Sequence, residues 1–111
     1  MTTIQLLEKL RSKTIVFTDV IAHIESIYNH TATGFTNGTQ RNEAEQNQGS
    51  AKVLAFAKIE NLSKEETLEL FAEHYQAVLN TPEGIDHQNI RQFILNGWQG
   101  VAFDHEVLNV K

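Results

Sequence analysis

Ser63-Lys-Glu-Glu-Thr-Leu-Glu-Leu-Phe-Ala-Glu-His-Tyr-Gln-Ala-Val-Leu-Asn80 is the stretch whose reading decides the fold. Ser63 and Glu66 form a capping box. The serine hydroxyl can accept from the N–H three residues on, and the glutamate can reach back to the serine N–H. Leu68, Phe71, Ala72, Tyr75, Val78 and Leu79 then recur at helical spacing and make one apolar stripe. Pro82 and Gly84 stop the run. The pattern predicts one helix over 63–80 at the centre of a mainly α protein, with Phe71, Tyr75, Phe93 and Ile24 in its core.

Working outward, residues 50–60 are nearly all apolar, and periodicity alone does not choose between a buried strand and a buried helix. Their alanines and the Gly49-Ser50 start favour a helix. Residues 3–12 read as a short helix capped by Thr3, with Ile4, Leu6, Leu7 and Leu10 as its stripe. Residues 19–29 read as another, capped by Thr18 or Asp19. From His30 to Ser50 Thr, Asn, Gln and Gly dominate, which predicts a long polar loop with a turn at Asn37-Gly38 and a short helical piece around Gln40–Gln46. Asp86 is placed to cap a last helix carrying Ile90, Phe93 and Ile94, stopped by Gly97 and Gly100. The expected architecture is a single domain over residues 1–111, a small bundle of four to five helices with a long polar loop. A minor strand element arises if Val53–Ile59, Ile15–Phe17 and Val101–Phe103 pair.

A chain of 111 residues is long enough for one modest core. Its 41% apolar and 21% charged residues are ordinary for a water-soluble globule. With no cysteine, disulfides and thiolate metal sites are excluded. A formal charge of −5 without a basic stripe speaks against a nucleic-acid partner. No apolar run reaches the roughly 20 residues of a membrane span, and the N-terminus lacks the basic head and apolar stretch of a Sec signal. The expected location is the cytoplasm, unless an export route that needs no such signal acts on the chain.

Two polar groups exceed what folding asks of a sequence. The first is Asp86, His87, Asn89 and Arg91. On a helix start, His87 could serve as an acid or base, Arg91 as an anion clamp and Asn89 as an orienting amide. The bland alternative is a cap followed by a solvated face. The second is Asn42, Glu43, Asn47 and Ser50, either ligand contacts on a loop held by a rigid core or side chains bonded to their own backbone. One buried network joining both groups satisfies either reading. Trp98, between two glycines, is a pocket aromatic or a core anchor. His74 reads as a core or surface histidine. His23, His30 and His105 are isolated, so no metal site is expected. No phosphate-binding or nucleophile motif occurs, and no cofactor is implied.

The run from Phe35-Thr-Asn-Gly through Asn42-Glu-Ala, Asn47-Gln-Gly-Ser50 and Phe56-Ala57 resembles the HopJ type III effector family. The likeness continues through Leu62-Ser63, Thr67-Leu68, Phe71, Tyr75, Val78-Leu79 and Pro82. Asp86-His-Gln-Asn-Ile-Arg-Gln-Phe93 and Gly97-Trp-Gln-Gly100 complete it. The sequence departs from the pattern at Glu45 and Ala72, where glycine is common, and at Ala51, where cysteine is common. The resemblance implies an effector-like protein, secreted through a type III system into a host cell, with a host or bacterial protein as partner. It implies no particular reaction. A cytoplasmic ligand-binding protein or enzyme using the two polar groups is the competing class, and a purely structural role for them is the third. Substrate and oligomeric state are not legible in the residues.

Overall fold

Val53, Leu54, Ala55, Phe56 and Ala57 are consecutive and all buried, as is Ala51, so the middle of the helix that carries them is enclosed on every side. That explains its unbroken apolar run: a helix apolar all round belongs in a core. In the computed structural model, which describes residues 1–111, this element is α3 (Gln48–Ile59). Around it lie α1 (Thr3–Arg11), α2 (Phe17–Ile27), α4 (Lys64–Glu69), α5 (Glu73–Asn80) and α6 (Gln88–Asn96). A 3₁₀ turn follows at Gly97–Gly100. The protein is mainly α with a minor strand element, and no helix is long and apolar enough to cross a membrane.

Five short strands complete the chain: β1 (Tyr28–His30), β2 (Phe35–Asn37), β3 (Gln40–Asn42), β4 (Val101–Phe103) and β5 (Leu108–Val110). β1 pairs antiparallel with β5, and β2 pairs antiparallel with both β3 and β4. Of the segments expected to pair, only Val101–Phe103 is a strand. Val53–Ile59 lies in α3, and Ile15–Phe17 leads into α2.

The polar segment 30–50 is therefore not one long loop. Phe35 is fully buried, and β2 and β3 form a tight hairpin in place of the helical piece expected at 40–46. The turn falls where Asn37-Gly38 placed it. Gly38 has φ +60°, and its N–H donates to the Gly100 carbonyl at 2.9 Å. A Cβ on Gly38 would sit 2.2 Å from Gln92 Oε1, and one on Gly100 would sit 3.0 Å from the Gly38 nitrogen. Two backbones thus meet where only glycine fits.

The segment 63–80 is two helices, not one. The capping box of Ser63 and Glu66 is present in both directions. The helix breaks at Leu70–Ala72, where Ala72 takes φ 51°, ψ −124°, a backbone glycine adopts freely and alanine does not. Packing explains the break. In a continuous helix Leu70 would lie about 200° around the axis from Leu68 and face outward. With the break, Leu68, Leu70 and Phe71 are all buried.

Cap positions also shift. Thr2, not Thr3, caps α1, and Ile4 is exposed. Asp19 lies inside α2 and accepts from the Val16 N–H at 2.9 Å. Phe71, Phe93 and Ile24 are in the core as expected, while Tyr75 packs half-buried at its edge.

Candidate functional site

Asn47 and His87 hold nearly the same backbone. Asn47 has φ 51°, ψ 39° and His87 has φ 50°, ψ 47°, both in the left-handed region. Asparagine and histidine are among the residues that tolerate it best. Each stands immediately before a helix, α3 and α6, and neither side chain caps that helix. Hydrogen bonding back to these two residues begins at Ala51 and at Ile90. The N–H groups of Gln48, Gly49 and Ser50 in one helix, and of Gln88 and Asn89 in the other, meet no protein acceptor. These are the orphan donors that a helix start leaves.

Both first turns open on one cavity of about 320 Å³. Asn47, Gly49 and Ser50 line one side, and His87, Gln88, Asn89 and Ile90 the other. Phe17, Phe71 and His74 supply the rest of the wall. The His74 and His87 rings lie 5.1 Å apart, and Phe17 meets the His74 ring edge-on at 4.8 Å. Phe17 is fixed at the start of α2, where its N–H donates to Glu73 Oε1 at 2.7 Å and ties α2 to α5.

Behind the cavity runs a chain of buried amides. Asn42 Nδ2 donates to Asn89 Oδ1 at 3.1 Å, and Asn89 Nδ2 donates back to Asn42 Oδ1 at 2.9 Å. Asn47 Nδ2 donates to the same Asn42 oxygen at 2.8 Å. Asn37 Nδ2 donates to the Asn89 carbonyl at 2.7 Å, while its own Oδ1 is buried without a partner. The network fastens the β2–β3 hairpin and the start of α3 to the first turn of α6. It holds Asn42, Asn47 and Asn89 together, and Asn47, Ser50, His87 and Asn89 line the cavity from its two sides.

The other residues singled out in the sequence lie elsewhere. Arg91 is not free to clamp an anion. Its guanidinium donates to the Asp86 carbonyl (2.6 Å), Asp86 Oδ1 (2.7 Å), the Thr81 carbonyl (2.8 Å) and Thr81 Oγ1 (3.1 Å). It straps the 81–86 loop to α6. Asp86 does not cap α6, and Arg91 beside it holds its carboxyl below the usual carboxylate value. Asp86 Oδ2 stands 3.9 Å from His87 Nε2, beyond hydrogen-bond distance. Glu43 is exposed and pairs with Arg41 at 3.1 Å. Trp98 anchors the 3₁₀ turn, with Nε1 donating to the Leu62 carbonyl and its ring edge-on to Phe93 at 5.0 Å.

Sequence reasoning missed Phe17, Gly49, Phe71, His74, Gln88 and Ile90 as cavity residues. Phe71 and Ile90 carry only a core signal, which they also obey. His74 lies on α5 and meets His87 only through tertiary packing. No sequence signal marks it.

Chemically, the orphan N–H groups and the positive ends of two helix dipoles suit a negatively charged group. The two imidazoles can donate or accept protons and hydrogen bonds. No three His, Asp or Glu side chains gather where one ion could touch them all.

Comparison with known proteins places this geometry in a family. A crystal structure described as that of an "unknown function protein VPA0580" superposes with a TM-score of 0.90 at 42% identity, covering 100% of this chain and 95% of the other. No protein of curated function matches significantly. The family described as "HopJ type III effector protein" matches residues 3–108. The chain belongs to the HopJ type III effector family.

Proposed function

We propose that this chain is an effector-like protein exported by a type III system, and that it acts by binding a small anionic ligand at the starts of α3 and α6. The observation that carries the binding half is that four residues with unpaired first-turn N–H groups, Gly49, Ser50, Gln88 and Asn89, line one cavity. One helix start is a common thing. Two that border one cavity, both with left-handed caps and no capping side chain, leave several such donors at one wall. His74 and His87 stand in the wall, where they can add hydrogen bonds to an anion. The buried amide network keeps the two starts in register, so little ordering is needed on binding. The family supports the export half.

Two measurements test the reading. Inorganic phosphate titrated into the labelled full chain should shift the amide signals of Gly49, Ser50, Gln88 and Asn89 together. Shifts scattered over the surface, or none at millimolar phosphate, overturn the binding half. A fusion of the chain to a calmodulin-activated cyclase should raise host-cell cyclic AMP only when the bacterium's type III apparatus works. An equal signal from an apparatus-deficient strain overturns the export half.

A further inference from the structure

We infer that the ligand of this cavity presents a flat unsaturated ring to Phe17 and His74, alongside the anionic group that the helix starts receive. The inference rests on the binding reading above and adds the class of molecule.

The apolar part of the cavity wall carries it. Only Phe17, Phe71 and Ile90 are apolar there, and two of the three are aromatic. A site for an aliphatic chain is expected to show branched aliphatic side chains, and this wall has one. The remaining lining is amide, imidazole and hydroxyl, from Asn47, Gln88, Asn89, His74, His87 and Ser50.

Phe17 is also held as a fixed surface rather than a mobile lid. Phe71 lies nearly parallel to it, with centroids 6.1 Å apart and planes at 14°. His74 meets it at 4.8 Å. On a third side is Gly49, where a Cβ would lie 3.6 Å from the ring carbons Cε2 and Cζ. The ring is only half-buried, and it borders the cavity. Aromatic rings prefer stacked or edge-on ring partners. The imidazoles of His74 and His87 in the wall can hydrogen-bond polar atoms on such a ligand. A substituted benzoate, an aryl phosphate or a heteroaryl equivalent has both parts.

The test compares four probes by titration into the labelled full chain: acetate, cyclohexanecarboxylate, benzoate and benzamide. Benzoate is expected to bind roughly tenfold tighter than acetate and about threefold tighter than cyclohexanecarboxylate. Its ring current should shift Phe17 and His74 side-chain signals. Equal affinity for benzoate and cyclohexanecarboxylate overturns the ring inference. So does benzoate that binds no better than acetate, and in that case the anion reading stands. Benzamide binding as tightly as benzoate leaves the ring and overturns the anion reading. No response to any probe overturns both. Phe17→Leu should abolish the preference for benzoate over cyclohexanecarboxylate, and a preference that survives it overturns the ring inference. Because Phe17 also packs on Phe71, the cyclohexane comparison decides the matter if that variant fails to fold.

Discussion

Asn42 and Asn89, 47 residues apart in the chain, exchange hydrogen bonds in both directions between side chains that are almost wholly buried. A buried amide is costly unless its donors and acceptors are met. The pair therefore fixes where the β2–β3 hairpin sits on α6. Asn89→Ala should lower stability by about 1–3 kcal/mol, since the partners it leaves are buried. Urea denaturation measures it. A cycle adding Asn42→Ala should show strong non-additivity, and strict additivity would show that the two amides do not depend on each other.

His87 should behave in the opposite way. Its side chain makes no hydrogen bond, and asparagine accepts the left-handed backbone it occupies. His87→Asn should leave stability within about 0.5 kcal/mol of the native protein. Phosphate affinity should fall several-fold. A large stability loss with unchanged binding would make His87 a scaffold residue.

Ala72 holds a backbone that strains any residue with a Cβ. Ala72→Gly should raise stability by about 1 kcal/mol, the relief of strain exceeding the added flexibility of glycine in the unfolded chain. Thermal unfolding checks the direction, and a lowered midpoint would contradict it. The same position is one where the family resemblance expects glycine.

His23 gives the protein a pH dependence of known sign. Burial, and next the N-terminal ammonium, push its pKa below the ordinary 6.5. Its Nε2 is buried without a partner, against Phe56. The unfolded chain takes up a proton near 6.5 while the folded chain resists. The stability present above that value is thus lost as pH falls through the window beneath it. Urea midpoints compared at about pH 7.5 and about pH 5.5 should fall, and His23→Phe should flatten part of the fall. An equal fall in the variant would assign the effect to other groups.

The Ser63–Glu66 capping box, the buried α3 run, the Asn37-Gly38 turn and the stops at Pro82 and Gly97 were all legible in the sequence. Each rests on interactions within a few residues of chain, where spacing alone fixes the geometry. The two polar groups were legible as excess polarity for the same reason: helices and strands do not need them. What only the tertiary structure decided lies between distant segments. It broke the 63–80 helix so that Leu70 and Phe71 could both be buried. It made strands of Phe35–Asn37 and Gln40–Asn42 by giving them β4 and each other as partners. It moved Arg91 from candidate ligand contact to loop strap, because the Thr81 and Asp86 acceptors fold back onto it. It also set His74 against His87 and brought two helix starts to one cavity. Local sequence carries caps and periodicity, whereas a site built between α3, α5 and α6 exists only when packing sets their positions.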